Sequence, residues 1–225
     1  IQPTRIFPLG DSAITVEFGN ELSIELNDAS ICLANYLSEH PFPGLIEAVP
    51  AMASVAVFYD QSTVGRTYPS YETTLSAVRD MVSNALLTAP VRHSESGRVV
   101  TIPARFSGDD APDLGVVASF AGVSPDHVIE IFLSVEYRVF MLGFLPGFPY
   151  LGAVDERIAA PRRATARTSV PKGSIGIAGG QAGIYPSASP GGWQIIGRTE
   201  EELIDTSVEP PFIFSPGDRV HFVRD

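Results

Sequence analysis

The sequence predicts an α+β fold in two parts, an N-terminal part of alternating strands and helices and a C-terminal part built from strands. Two observations support this prediction. In the first hundred positions, apolar residues recur by turns at strand spacing and at helix spacing. After Gly143 the helical spacing stops, and short apolar runs are interrupted by glycine and proline up to the end of the chain. The polar stretch HSESG at 93–97 is the most linker-like segment of this region, so we expect the boundary between the two domains there.

The N-terminal elements follow the order β-α-β-β-α-β. Strand alternation occurs in four segments, 13–18, 45–49, 53–59 and 98–104. Helical spacing occurs in residues 22–39 and 69–87. This order is the ferredoxin-like, split βαβ pattern, in which two helices cover one face of a sheet. We therefore expect a ferredoxin-like domain over 1–95 and a second domain over 96–225, with the strand at 98–104 completing the pattern.

The second part begins with a helical patch and then becomes all-β. Residues 113–122 and 124–135 have helical spacing, and Ser124 before Pro125 is a favourable pair for a helix start. YRVFMLGF at 137–144 is typical of a strand. The remaining runs are short and separated by tight-turn residues, which predicts a barrel or a sandwich.

Composition limits the classes of partner. The 225 residues are 44% hydrophobic, which is ample for a buried core, and the formal net charge is −11. An acidic chain disfavours nucleic acid and anionic membranes, since both require a basic face. The N-terminal residues lack a secretory signal, and no apolar run approaches the ~20 residues of a membrane span. The single cysteine, Cys32, fits an inert core thiol in a reducing compartment, so we expect a cytoplasmic location.

One window of the chain has the opposite charge. No aspartate or glutamate occurs from 157 to 199, whereas six cations do: Arg157, Arg162, Arg163, Arg167, Lys172 and Arg198. The window carries +6 and the remainder −17. Its glycines, in GSIGIAGG (173–180) and SPGGW (189–193), permit close backbone approach to a ligand. A small anionic ligand explains this window, and ordinary β-turns with solvated arginines explain it as well.

Common catalytic motifs are absent from the sequence. There is no phosphate-binding GxxxxGK[ST] loop, no GxGxxG and no GxSxG. The histidines have no metal-ligand spacing, so we expect no metal site. Asp109, Asp110 and Asp113 precede a helix, where capping accounts for at least one of them. Asp205 is a candidate base, and Asp218 is a candidate turn residue.

Two long motifs carry a family resemblance, GFLPGFPYLG (143–152) and PRRATARTSVPKGSIGIAGGQAGIYPSASPGGWQIIGRT (161–199). With GDSAITVEF, EYRVFMLGF and PGDRVHF they make the chain similar to the B subunits of ATP-dependent 5-oxoprolinases. The same family includes sporulation-kinase inhibitors, allophanate hydrolase subunit 1 and part of the carboxyltransferase domain of urea carboxylase. The resemblance implies a C-terminal cyclophilin-like β-barrel, ATP with Mg²⁺ as cofactor, and two companions, a paralogous C subunit and an A subunit.

The resemblance also implies a small anionic substrate and suggests site residues. We assign catalytic roles to Arg198, Lys172, Gln181 and Tyr185. We assign substrate binding to Arg163, Phe148, Tyr150, Trp193, Gly179 and Gly180. Phosphoryl activation of an amide requires charge stabilisation above all, and cations with hydrogen-bond donors provide it.

The sequence departs from the family pattern at one position in the second helical segment. Phe132 stands where relatives usually carry a histidine, so either activity is altered or the residue only repacks a core. Two other functions therefore stay open. One is a subunit of a biotin-linked urea-type carboxyltransferase or allophanate hydrolase, although the chain has no biotin-carrier motif. The other is a regulatory protein that inhibits a sensor histidine kinase.

Overall fold

The computed structural model describes residues 1–89 and 97–225. The chain divides into two compact units, Ile1–Glu95 and Ser96–Asp225. His93 and nearly all of the predicted linker at 93–97 lie outside the described residues. Each unit is built around its own buried apolar cluster.

The first unit has an antiparallel sheet covered by helices. Its described elements are β1 (Arg5–Pro8), β2 (Ala13–Glu17), α1 (Ile24–Glu39), β3 (Leu45–Pro50), β4 (Ser54–Tyr59), α2 (Gln61–Thr67) and α3 (Thr74–Thr88). The sheet order is β1-β2-β4-β3. Alternate strand residues such as Val16 and Val57 are fully buried, and they share a cluster with Leu33 of α1 and Val82 of α3. Side-chain caps at Ser23 and Thr73 start these two helices.

The ferredoxin-like prediction differs from the structure in its last strand. The segment 98–104 is a strand, but it pairs in parallel with residues of the second unit. The position beside β2 is taken instead by β1, which runs antiparallel to it from the Arg5–Glu17 pair to the Pro8–Ile14 pair. The sequence RIFP was missed because it is short and ends in proline, so it gives almost no alternation.

The second unit contains a larger, curled sheet. Its described elements are β5 (Val99–Ala104), α4 (Leu114–Ala121), α5 (Pro125–Leu133), β6 (Glu136–Leu142), β7 (Pro149–Gly152), β8 (Arg167–Val170), β9 (Ser174–Ala178), β10 (Gln181–Ile184), β11 (Ser189–Gly191), β12 (Gln194–Arg198) and β13 (Arg219–Arg224). Seven strands form one sheet in the order β12-β9-β10-β7-β6-β13-β5, and β8 pairs with β11 separately. The helices at 113–122 and 124–135 and the strand at 137–144 correspond to α4, α5 and β6.

The two edges of the seven-stranded sheet approach one another. Arg105, just after β5, and Arg198 of β12 exchange two backbone hydrogen bonds of 2.8 and 2.9 Å. A sheet whose first and last strands meet in this way curls around its core. This geometry is consistent with the expected cyclophilin-like domain.

Phe132 belongs to the core of this unit. Its side chain has no exposed surface, and its ring centroid lies 4.9 Å from those of both Tyr137 and Phe222. The Tyr137 hydroxyl donates to the Phe132 carbonyl oxygen at 2.9 Å. Phe132 therefore packs the core of the second unit, and its effect on activity stays a prediction.

No single helix within residues 1–89 and 97–225 is long and apolar enough to cross a membrane. Only α4 and α5 taken together, bent by 89°, reach that length and composition.

Gly173, in the turn between β8 and β9, tests the packing of the curled sheet. Its φ is +79°, and a Cβ there would collide with the Thr199 carbonyl oxygen. We expect Gly173→Ala to lower the free energy of unfolding by about 2–4 kcal/mol through strain and overpacking. Urea unfolding followed by Trp193, the single tryptophan, reports on this unit.

Gly115→Ala is the matched control, since nothing lies within 4 Å of a Cβ there and alanine favours the α4 helix. Equal urea midpoints for the two variants would contradict the packing described at Gly173.

Candidate functional site

The second unit holds a cavity of about 230 Å³ with a mainly aromatic wall. Its lining residues are Phe144, Phe148, Tyr150, Arg162, Ala166, Tyr185, Pro190, Gly191, Gly192 and Trp193. They come from the β6–β7 hairpin, from β7, from the residue after β10, from the segment 162–166, from β11 and from the approach to β12. Small-molecule sites are commonly apolar clefts with a few polar groups, and this cavity has that character.

Phe148 is at the centre of the aromatic wall. Its ring lies edge-on to those of Tyr150, Tyr185 and Trp193, with centroid distances of 5.1, 5.2 and 5.5 Å. Edge-to-face contacts of this kind are favourable and fix each ring's orientation. Gly183 makes the arrangement possible, because a Cβ there would come within 2.6 Å of the Phe148 ring.

Phe144 stands at the rim of the cavity in a strained backbone conformation. It is the single non-glycine residue with positive φ in the described part of the chain, at +66°, and 61% of its surface is exposed. Its ring is edge-on to Phe148 at 5.6 Å and to Tyr185 at 6.5 Å. A bulky side chain in the left-handed region costs on the order of 1 kcal/mol, and such strain concentrates at functional sites.

Arg162 supplies the positive charge of the cavity. Its guanidinium carbon lies 5.9 Å from the centroid of the Trp193 ring, within range of a cation–π contact. Within the described residues, no carboxylate forms an ion pair with it. Arg162 is exposed, so the group is available to an anionic ligand.

Two tyrosine hydroxyls complete the polar groups of the cavity. Burial raises the pKa of Tyr150 and of Tyr185 above the usual value, and the charge of Arg162 partly opposes that rise in both. Both phenols therefore keep their protons at neutral pH. Each can donate a hydrogen bond to an oxygen of a ligand.

The structure brings together four of the ten predicted site residues. Phe148, Tyr150, Tyr185 and Trp193 all line the aromatic cavity. The six others, which are absent from its lining, are Arg163, Lys172, Gly179, Gly180, Gln181 and Arg198.

The three predicted cations each meet a carboxylate from outside the basic window. Arg163 pairs with Asp113 at 2.8 Å, and Lys172 pairs with Glu202 at 2.5 Å. Arg198 lies 3.7 Å from Asp110, which also binds Arg105 at 2.9 Å. Local pairing offsets much of the charge that the sequence assigned to a ligand.

Gly179 and Gly180 form the two-residue turn between β9 and β10. The Gly179 amide donates to Ala160 O at 2.8 Å, and Gly180 O accepts from Val154 N at 3.0 Å. Gln181 follows in β10, with a buried Nε2 that has no hydrogen-bond partner in the described part of the chain. These residues hold the hairpin in place, and their assignment to the site stays a prediction.

Asp113 is one of three aspartates of which at least one is expected to cap a helix, and the structure gives its carboxylate a different role. It is the N-cap residue of α4, but its side chain makes no capping bond. The carboxylate is 2% exposed and accepts from Arg163 at 2.8 Å, from Arg167 at 2.7 Å and from the Ile195 amide at 2.6 Å. The positive charges of Arg163 and Arg167 are visible in the sequence. Nothing in the sequence indicates that they share Asp113, which lies 50 residues before Arg163.

Asp205 and Asp218 lie away from the aromatic cavity. Both line a second cavity of about 430 Å³. Asp205 accepts from Ser207 in a local turn, and Asp218 is in a turn as predicted, where it pairs with Arg98 at 2.9 Å. These bonds give both carboxylates a role in the local structure.

Comparison with known proteins places the chain in a family. Residues 4–214 match the family model described as "Carboxyltransferase domain, subdomain C and D". The B subunit of the 5-oxoprolinase of Bacillus subtilis (strain 168) is 43% identical over 221 residues, which are 98% of this chain and 92% of that protein. The corresponding B subunit of Escherichia coli O157:H7 is 37% identical over 223 residues, 99% of this chain and 97% of that protein.

Solved structures agree with this placement. The crystal structure of TTHA0988 superimposes with a TM-score of 0.80 at 35% identity, over 95% of this chain and 40% of that one. The chain therefore spans about two fifths of TTHA0988. The Kluyveromyces lactis urea amidolyase superimposes with a TM-score of 0.77 over 98% of this chain and 15% of its own, and at 20% identity it shows the fold alone.

The predicted resemblance is thus confirmed across nearly the whole length of the sequence. The chain belongs to the carboxyltransferase domain, subdomain C and D, family, and 5-oxoprolinase B subunits are among its relatives.

Proposed function

We propose that this chain is the B subunit of an ATP-dependent 5-oxoprolinase, a hydrolase that opens a cyclic amide, and that it works with companion subunits. The observation that carries the proposal is the identity of 43% and 37% to two 5-oxoprolinase B subunits over 92% and 97% of their lengths. We also infer that the second unit is a cyclophilin-like barrel and that the first is a variant of the ferredoxin-like arrangement.

The need for companion chains has two supports. The matching family model covers subdomains C and D of a carboxyltransferase domain, and these are part of a larger whole by their description. TTHA0988 is a much longer chain, of which this one matches 40%. We propose a paralogous C subunit and an A subunit as the missing parts.

We propose the aromatic cavity as the place where this subunit holds the substrate ring. 5-Oxoproline is a small, flat lactam that carries one carboxylate. The edges of Phe148 and Trp193 suit its ring, the tyrosine hydroxyls suit its carbonyl oxygen, and Arg162 suits its carboxylate. The assembled cavity thus offers each kind of contact that this substrate needs.

The reaction requires charge stabilisation at the lactam oxygen. In this class of hydrolysis ATP would phosphorylate that oxygen and leave as ADP. One water would then attack the activated carbon and the C–N bond would break, which gives an acyl phosphate of glutamate. A second water would hydrolyse this acyl phosphate to glutamate and phosphate. Phenol donors from Tyr150 or Tyr185 would stabilise negative charge as it develops on the oxygen. We assign no residue of this chain to ATP or Mg²⁺.

The two alternatives have less support. Carboxyl transfer to a urea-like substrate shares the fold with the Kluyveromyces lactis enzyme, which is 20% identical. Inhibition of a histidine kinase stays a prediction from the resemblance. The geometry of the cavity favours neither of them.

Reconstitution tests the proposed function directly. We expect co-purified A, B and C subunits to hydrolyse ATP faster in the presence of 5-oxoproline and to form glutamate in equal amount. Omitting this chain should reduce the substrate-dependent rate to background, because its cavity holds the ring. An intact complex whose ATP hydrolysis is indifferent to 5-oxoproline would refute the assignment.

Arg162→Gln tests the ligand contact. Losing a charge-assisted hydrogen bond costs about 1.5–3 kcal/mol, so we expect KM for 5-oxoproline to rise roughly tenfold or more in the reconstituted complex. Arg157→Gln is a matched control, because this exposed arginine is paired with Asp155 at 2.7 Å. Equal KM values for the two variants would exclude Arg162 from binding.

Arg198→Gln and Lys172→Gln test the roles predicted from the sequence. Both side chains are already paired with carboxylates, so we expect effects on KM smaller than that of Arg162→Gln. A loss of kcat by roughly 100-fold or more in either variant would restore its catalytic assignment.

A further inference from the structure

The cluster around Asp113 carries a surplus of positive charge. Two guanidinium groups, from Arg163 and Arg167, share the single Asp113 carboxylate. In the described part of the chain no second carboxylate pairs with either arginine. Arg163 Nε and Arg167 Nη1 are buried and have no hydrogen-bond partner among those residues. One unit of charge is therefore left over at this partly buried cluster, where the Arg163 and Arg167 side chains are 33% and 22% exposed.

The two arginines are joined through their backbones to one wall of the aromatic cavity. The Arg163 amide donates to Gly192 O at 2.8 Å, and Arg167 is the strand partner of Gly191. Gly191 and Gly192 both line the cavity. The backbones of both arginines are thus paired directly with residues of the cavity wall.

The Tyr185 hydroxyl lies against the wall with which the two arginines are paired. A Cβ on Gly191 would collide with that hydroxyl, so the group is in contact with the wall. Burial raises the Tyr185 pKa, and the charges of Arg162 and Arg167 both act to lower it. The charge of Arg167 thus acts in the same direction as that of Arg162 on a group that lines the cavity, and burial has the larger influence.

We propose that Arg167, assisted by Arg163, is a specificity-determining residue that makes the aromatic cavity selective for a ring-shaped carboxylate over its uncharged analogue. It acts through space, without touching the ligand. The inference rests on the proposed function for the identity of the ligand as 5-oxoproline. A partly buried charge at this range is weakly screened, so a severalfold effect on affinity is expected.

Asp113 sets the size of the effect. A neutral cluster would need a second carboxylate, and a cluster without Asp113 would hold two like charges side by side. With one carboxylate, 2% exposed, the arginines are fixed in place and still leave a net charge. Removing one arginine leaves a balanced pair, so the variant should fold.

The experiment measures binding to the full chain by Trp193 fluorescence, confirmed by calorimetry. Trp193 is the single tryptophan and lines the cavity. The probes are 5-oxoproline and its uncharged amide, 5-oxoprolinamide. The variants are Arg167→Gln, the charge-conserving Arg167→Lys, and Arg157→Gln as the control.

We expect wild type to bind the acid more tightly than the amide. Arg167→Gln should lower that preference about threefold to tenfold while the affinity for the amide stays within about twofold. Arg167→Lys and Arg157→Gln should retain the wild-type ratio. A purely structural role of Arg167 would weaken both probes together, and that result would overturn the proposal.

Two other outcomes also overturn it. One is an unchanged ratio in Arg167→Gln, and the other is no binding of either probe to wild type. Neither result decides the proposed function, which stands or falls on 5-oxoproline-dependent ATP hydrolysis by the assembled complex.

Discussion

The buried carboxylate of Asp113 is the constraint on which the candidate site depends. It binds Arg163, Arg167 and the Ile195 amide, and the Asp113 backbone amide donates to Ile195 O at 2.9 Å. The start of α4, the segment at 163–167 and strand β12 are thereby joined at one point. Because an unpaired buried carboxylate is very costly, these three segments must assemble together. Arg162 and Trp193 adjoin the joined segments, so the cavity wall is fixed by the same interaction.

Charge along the chain proved a poor guide to charge in space. The window from 157 to 199 holds +6 and no acidic residue, yet most of its cations meet carboxylates that come from elsewhere. The partners of Arg163, Arg167 and Lys172 are 50, 54 and 30 residues away. Arg162 is the cation of this window for which no carboxylate partner lies among the described residues. A sequence displays each charge, but only the fold decides which charges are neutralised.

Local patterns predicted more of the fold than of the site. Periodicity found α1, α3, α4 and α5 to within a few residues, since each has one buried face. It also found the strand at 98–104 but gave it the wrong partner, because strand pairing depends on contacts far apart in sequence. Residue type and the family motifs were enough to select Phe148, Tyr150, Tyr185 and Trp193 as candidate site residues. Their convergence required the register of β7 against β10, and Phe144 and Arg162 could be selected only once that register was known.

The cavity is also where the second unit departs from its most stable arrangement. Glycine at position 144 would adopt a φ of +66° without a Cβ penalty, and a second carboxylate would neutralise Arg163 and Arg167. The chain instead places an exposed phenyl ring and a surplus charge around the same 230 Å³. Backbone strain and unneutralised charge occur together mainly at functional sites. The strain at Phe144 and the surplus charge of Arg163 and Arg167 are the two features that support the proposal of a small anionic ligand in this cavity.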